Sequence, residues 1–348
     1  MDNVIELLNK IRSEASATYQ DRIPEATQEN MESIRYAMIG DDNVQVANEF
    51  MDSLLNKLVK SVIHAKKFEN PLKPLKQGKK PVGDGVEEIY TNFIKADDTG
   101  AFDGTKLLER KLPDTKTIYH RMNLELQYPV TINRTQLSKA FASYDALDSY
   151  INDIINKLYS SAEFDEFMNM KQLFASAVEK KAIKVETVAN PYVSEANAKA
   201  FIKHVKNISS LMKYPSESFN SYLTAQNVDT TPVRTLSRLN EQILIIPEAV
   251  NNTLDVDVLA SSFNMSLADF NKTRKVLVDE LPVANCLGAL VDEKFLQVWD
   301  DYYIVTDFKN GKGLYNNYYL NIGQTMAYSP LVNAVLFVYD DATGSEEE

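Results

Sequence analysis

The chain has 348 residues, 44% of them hydrophobic, which is enough apolar material for one large domain or two medium ones. Its formal net charge of -12 repels nucleic acid, so sequence-specific DNA or RNA binding is not expected. The one cysteine, Cys286, excludes an intrachain disulfide framework and reads as a small buried hydrophobe.

The start, MDNVIELLNKIRSE, lacks the basic residues and apolar run of a signal peptide, and no window approaches the roughly eighteen apolar residues of a membrane span. A soluble protein made in the cytoplasm, with no membrane partner, is expected. Val4, Ile5, Leu7, Leu8 and Ile11 recur at helical spacing behind Asp2, a suitable N-cap. Ser16 to Asn30 is polar and reads as an extended arm or a loop. Val46, Phe50, Leu54, Leu55, Leu58 and Val59 give a second helical pattern. Ser61 to Phe68 either continues it or turns into a strand.

Residues 66–80, KKFENPLKPLKQGKK, hold six lysines against the single acid Glu69, and the prolines and glycines from Pro71 to Gly85 break any helix. Two strand-like segments follow. Val86 to Ile94 is apolar and partly β-branched. Asn123 to Ile132 alternates strictly, with Leu124, Leu126, Tyr128, Val130 and Ile132 on one face. Pro129 places that strand at a sheet edge or ends it. Between them lies the polar stretch Lys95 to Thr117. Residues 70–132 thus read as a long two-stranded arm, which cannot bury its apolar face alone.

Residues 145–180 carry the strongest helical signal. Leu147, Ile151, Ile154, Ile155, Leu158 and Tyr159 form a stripe that Phe164, Phe167, Met168, Leu173, Phe174 and Ala177 extend. An uninterrupted helix there would be on the order of 50 Å long. Further on, Ile183 to Val188 reads as a strand, and Ser194 to Met212 as a helix capped by Ser194. Gln242 to Ile246 reads as a buried strand, and Leu254 to Phe263 as a helix with Asp255 and Asp257 in its first turn. Val276 to Leu281, Leu290 to Trp299 and Tyr302 to Phe308 look like strands, and Asn310-Gly311 is a turn signal. Leu331 to Tyr339 belongs in the core, and Asp340 to Glu348 forms an acidic tail.

No enzyme motif emerges, so no catalytic, cofactor or metal residues are assigned. His64, His120 and His204 lack metal-ligand spacing. GKKPVGDG at Gly78 to Gly85 fails both phosphate-loop patterns, and there is no Gly-x-Ser-x-Gly elbow. Asp255 and Asp257 are explained as acids in the first turn of a helix. Tyr159, Glu163, Asp165 and Glu166 fit a solvated helix face. The lysine run is basic enough to bind nucleic acid, but it lacks the interleaved aromatics of a base-stacking platform, and in so acidic a chain contact with an acidic patch on a neighbour is expected at least as much.

The order of elements is similar to the Hong Kong phage (HK-ninety-seven-type) capsid fold, an α+β architecture. Several runs, in order, resemble the major head protein of phi-twenty-nine-type podoviruses: NPLKPLKQGKKPVGDGVEEIYT at Asn70–Thr91, INKLYSSAEFDEFMNMKQL at Ile155–Leu173 and LDVDVLASSFNMSLADF at Leu254–Phe270. GLYNNYY at Gly313–Tyr319 and QTMAYSPLVNAVLFV at Gln324–Val338 complete the set. The resemblance implies an N-terminal arm with a leading helix or strand at 1–69 and an extended β-hairpin loop at 70–132. It implies a peripheral domain with a spine helix at 133–183, an axial domain at 184–320, a returning peripheral strand at 321–340 and a tail at 341–348.

It also implies a non-enzymatic major capsid protein that forms pentamers and hexamers around a scaffolding protein, meets a portal or connector and encloses double-stranded DNA. Lys73, Lys76, Lys79 and Lys80 are then candidate inter-subunit contacts. A capsid core without the extra C-terminal immunoglobulin-like domain of a relative is expected. The alternative within the same fold is an encapsulin-like nanocompartment shell.

Overall fold

The computed structural model describes residues 3–27, 29–39, 46, 49–50, 53, 68–81, 83, 85–94, 96, 110, 112–133, 154, 156–226, 231–254, 274–312 and 315–340. In chain order these form α1 (Asn3–Glu14), α2 (Ala17–Arg22), α3 (Met31–Ile39), β1 (Lys76–Lys79), β2 (Gly85–Thr91), β3 (Thr115–Arg121) and β4 (Leu124–Asn133). Then come α4 (Ser161–Glu179), β5 (Lys184–Val188), α5 (Glu195–Leu211), α6 (Tyr222–Gln226), β6 (Gln242–Pro247) and α7 (Glu248–Thr253). The order closes with β7 (Arg274–Val278), β8 (Cys286–Asp292), β9 (Leu296–Asn310), β10 (Tyr315–Tyr328) and β11 (Ala334–Tyr339). The predicted pattern at Leu254 to Phe263, with Asp255 and Asp257, lies outside the described residues, as do His64, most of the pattern at 46–59 and the beginning of the spine pattern.

The chain divides into two compact units, each assembled from three separated stretches. The first comprises Met1–Asn70, Glu125–Glu166 and Tyr302–Gly323; the second comprises Pro71–Leu124, Phe167–Asp301 and Gln324–Glu348. This division cuts across the sequential blocks expected from the chain order, because strands distant in sequence complete each sheet.

In the first unit, β4 alternates as its sequence requires. Leu124 starts the strand, and Leu126, Tyr128 and Val130 are half-buried and Ile132 buried, while the residues between them are exposed. β4 is the edge strand beside β10, which is where Pro129 belongs. The core beneath joins Tyr318, Leu320 and Ile322 of β10 to Ile132, Ile154 and Leu158 and to the N-terminal helices.

The polar stretch 16–30 is folded into this unit. Ser16 caps α2 by accepting the Tyr19 N–H at 3.3 Å. Arg12 donates to the carbonyls of Ile23 (2.7 Å) and Gln20 (3.1 Å), and Asn9 exchanges hydrogen bonds with the Ala26 backbone at 2.7 and 3.1 Å. Those bonds satisfy the loop backbone and let Tyr19, Ile23 and Ala26 enter the core.

The spine pattern is interrupted at Asn156–Ser160, which forms a π-helical turn before α4. Such a turn inserts one residue and shifts the helix phase. The buried positions therefore become Ala162, Phe167, Met170, Phe174 and Ala177. Phe164 and Met168, expected on the stripe, are 48% and 45% exposed.

In the second unit, five strands pair in the order β5-β11-β8-β6-β7. β11 runs parallel to β5 and antiparallel to β8, while β6 is antiparallel to β8 and parallel to β7. Every residue of β6 is buried, matching its continuous apolar run. α5, capped by Ser194 as expected, lays Ala198, Phe201, Ile202, Val205 and Ile208 on this sheet. The expected strand at Leu290 to Trp299 is two strands. Lys294 and Phe295 donate backbone N–H groups to Asp292 at 3.0 and 2.9 Å, and this closes a turn between β8 and β9.

The hairpin also differs from its expected form. β2 pairs with β3, Gly85 opposite Arg121 through Thr91 opposite Thr115, and β3 begins inside the stretch that the sequence marks as polar. Thr115, Thr117, Tyr119 and Arg121 alternate there with Lys116, Ile118 and His120, so neither side is a continuous apolar stripe while the backbone still pairs.

Candidate functional site

Among the described residues, no three His, Cys, Asp or Glu side chains are placed to hold a metal, and no helix is long and apolar enough to cross a membrane. The chemistry on display is that of surfaces, and the basic segment and the hairpin concentrate it.

In the basic segment, Leu72 and Leu75 are fully buried and anchor a 3-10 turn at Lys73–Leu75. β1 then runs parallel to β9, opposite Val298 to Asp300. Gly78 sits at the irregularity in that register with φ +95°, a conformation that favours glycine. Lys76 reaches Asp300 at 2.9 Å and Lys80 pairs with Asp301, while the Lys80 N–H donates to the Asp300 carbonyl at 2.9 Å. Two of the four candidate lysines thus have acid partners within their own chain. Lys73 and Lys79 are exposed.

The hairpin is fastened along one face. Glu88 accepts from Ser329 Oγ at 2.5 Å and lies 3.0 Å from His120 Nε2. The Tyr90 hydroxyl donates to the Arg234 carbonyl, and burial raises its pKa. Asn92 donates to the Pro232 carbonyl at 3.0 Å and accepts the Arg234 N–H at 3.1 Å. Asn92 also donates to Asp114 at 2.7 Å, and that bond, with help from Lys116, holds the Asp114 carboxyl below the usual range.

The opposite face is solvent-exposed. Ile89 is 60% and Tyr119 67% exposed, and Phe93, Ile94 and Leu112 are exposed beyond the strand ends. Tyr119 donates to Glu87 at 2.9 Å, and the carboxylate acceptor raises the phenol's pKa.

The acids around Tyr159 do not form a solvated face. Glu166 is buried and accepts from Asn70 Nδ2 at 2.8 Å, Glu163 accepts the Asn70 N–H at 3.3 Å, and Asp165 accepts the Tyr128 hydroxyl at 2.8 Å. Tyr159 stacks on Tyr303 with ring centroids 6.2 Å apart. His204 lies 3.9 Å from Glu186, which also pairs with Lys184 at 3.4 Å. Sequence reasoning missed Asp300, Asp301, Glu88, Asn92 and Ser329 as anchors. The adjacent acids Asp300-Asp301 between two strand patterns, in a chain whose lysines concentrate at 66–80, were the available signal.

The chain matches the family model described as Phi29-like phage major capsid protein over residues 8–338. It is 32% identical over 337 residues to the major capsid protein of Bacillus phage PZA, an alignment covering 97% of this chain and 73% of that relative. It is likewise 32% identical, with the same coverage, to the major capsid protein of Bacillus phage B103. Its fold is similar to a chain in the capsid structure of Staphylococcus phage Andhra, with a TM-score of 0.65 at 14% identity, covering 80% of this chain and 87% of that one. The α+β architecture described above is thus a phage capsid architecture, consistent with the HK-ninety-seven-type fold. By the extent of these matches, the chain belongs to the Phi29-like phage major capsid protein family.

Proposed function

We propose that this chain is the repeating subunit of the head shell of a tailed double-stranded-DNA phage, arranged in pentamers and hexamers. The observation that carries the reading is the family match over nearly the whole chain, which also favours a phage head over an encapsulin-like compartment. Within the block 70–132, the β2–β3 hairpin acts as the extended loop lying over an adjacent subunit, while 133–183 and 321–340 serve as the peripheral domain and 184–320 as the axial domain. The exposed Ile89 and Tyr119 support the role of the loop, since large apolar side chains on a hairpin face gain by being covered.

Each subunit touches several neighbours, so interfaces of ordinary size, about 1,600 Å² each, add into a cooperative shell. A scaffolding protein directs closure, a portal or connector occupies one vertex, and packaged DNA contacts the wall without sequence preference. The acidic balance of the chain suits that last role, because a wall without net positive charge lets DNA slide. Lys73 and Lys79, with Lys76 and Lys80 behind them, contribute to contact with acids of the neighbour. Negative-stain microscopy of the chain, expressed with and without a scaffolding protein, tests the reading. Closed particles support it, and a small monomer under every condition rejects it.

A further inference from the structure

α5 and the turn after it are basic in a chain of formal net charge -12. No acid falls between Ala196 and Ser216, a stretch that holds Lys199, Lys203, His204, Lys206 and Lys213. Lys199, Lys203 and Lys206 are spaced four and three apart, so they share one stripe of the helix. Ser210 continues the stripe, and Lys213 follows just past the helix end. The opposite side, Ala198, Phe201, Ile202, Val205 and Ile208, is packed on the sheet, which turns the lysines away from it.

Little on the chain neutralises this stripe. Glu195 pairs with Lys199 at 2.6 Å, but both are exposed, and a competing anion displaces such a pair at small cost. Glu186 is shared between Lys184 at 3.4 Å and His204 at 3.9 Å. Lys203 and Lys213 are exposed and meet no acid among the described residues. The 66–80 run differs, since Asp300 and Asp301 occupy its Lys76 and Lys80. Ala200, Lys203, His204, Lys206, Asn207 and Ser210 line an open depression of about 840 Å³, so the charge borders a concave bed.

We infer that this stripe is the surface on which the shell meets the phosphate backbone of packaged double-stranded DNA. The inference rests on the head-shell reading, which supplies the DNA, and adds the contacting residues. Three features favour a nucleic-acid backbone over an acidic protein. The cations are lysines and not arginines, point charges on flexible stems that attract phosphates without fixing one register. Within α5, Leu211 is the one large apolar side chain that is exposed, so the aromatic and apolar anchors of a protein interface are missing. The residues between the lysines, Ala196, Ala200, Asn207 and Ser210, are small and uncharged, which lets a long rod lie along the helix. From Lys199 to Lys213 the stripe spans ~21 Å at the helical rise, a length over which a duplex carries about twelve phosphates. Few contacts per subunit keep each hold weak and salt-sensitive, as suits DNA that slides along the wall while the head fills.

Fluorescence anisotropy of a short labelled duplex of arbitrary sequence, titrated with the unassembled chain, tests the chemistry. Binding should weaken with salt, and Lys203→Gln combined with Lys213→Gln should reduce the slope of log affinity against log salt by about 1.8, or ~0.9 per lost phosphate contact. Glutamine keeps the helix propensity of lysine, so the fold is not at stake. Lys73→Gln combined with Lys79→Gln, an exposed pair elsewhere, should leave the slope unchanged. No binding by the wild-type chain, or equal losses from both pairs, overturns the inference. Lysine acylation read by mass spectrometry then tests the place of the surface in the particle. Lys203 and Lys213 should react several-fold more slowly in DNA-filled heads than in the same heads emptied of DNA or in shells that still hold scaffolding protein. Equal reactivity in filled and emptied heads overturns the inference while leaving the head-shell reading intact, and protection only in scaffold-filled shells assigns the stripe to an acidic protein instead. Failure of the chain to form shells at all rejects the head-shell reading, and the packaged-DNA contact falls with it whatever the duplex titration gives.

Discussion

Gly288 and Gly78 both have positive φ, but in opposite surroundings, and replacing each by alanine separates two costs. Gly78 has φ +95° with nothing within 4 Å of a built Cβ, so Gly78→Ala pays only for the backbone conformation, about 1–2 kcal/mol. Gly288 has φ +143° in the middle of β8, and its Cβ would stand 2.5 Å from the Ile245 carbonyl oxygen of β6. Relief requires moving one buried strand relative to another, which adds overpacking of about 1–3 kcal/mol to the conformational strain. Gly288→Ala should therefore cost about 2–5 kcal/mol in total. Urea unfolding of the chain followed by the single Trp299, near the start of β9, reads the difference. A Gly288→Ala variant no less stable than Gly78→Ala would show that the close approach of β8 and β6 is not a constraint.

Other outcomes follow from buried polar groups and from the lysine segment. Burial raises the Asp292 pKa despite its 2.5 Å bond from Ser237 and the Lys294 N–H, so between the ordinary carboxylate value and the raised one the native state holds a proton that the unfolded chain releases. The Asp292 contribution therefore weakens as pH rises through that interval. Urea midpoints of wild type minus Asp292→Asn should fall from low to neutral pH, and a difference that grows with pH would contradict the assignment. Lys171 is 4% exposed and bonded to Asp279 at 2.7 Å, while Asp279 is 59% exposed. Asp279→Ala leaves a buried ammonium without its acid and should cost about 3 kcal/mol, whereas Lys171→Met should cost under about 1 kcal/mol, and equal losses would refute this asymmetry. Replacing Lys73, Lys76, Lys79 and Lys80 together by serine should reduce shell yield by electron microscopy, and the Lys73 and Lys79 pair alone should account for part of the loss. Unchanged yield in both would remove the neighbour contact from the account.

Elements defined by local periodicity were legible before the structure. The strict alternation from Leu124 to Ile132, the apolar run of β6 and the Ser194 cap each correspond to an observed element, because one face or one terminus decides them. The misreadings arose where partners come from far along the chain. β3 has few apolar residues, so nothing local distinguishes it from a loop, and the strict alternation of β4 makes it the stronger local candidate for the hairpin's second strand. The π turn at Asn156–Ser160 leaves no composition signal, yet it decides that Phe167 is buried and Phe164 exposed. Ser16 to Asn30 read as an arm because its anchors, Asn9 and Arg12, belong to α1 and act on backbone atoms. For the candidate surface, the lysine cluster was visible in the sequence. That Lys76 and Lys80 are occupied by Asp300 and Asp301 depends on a parallel pairing between segments more than 200 residues apart.

The central claim is that copies of this chain close into a phage head. Cryo-electron microscopy of particles purified after co-expression with a scaffolding protein tests it most directly. The account predicts a closed shell whose reconstruction resolves rings of five and six subunits, each ring member fitting the folds of the two units described above. Particles that are absent, or open aggregates without fivefold and sixfold rings, would contradict it.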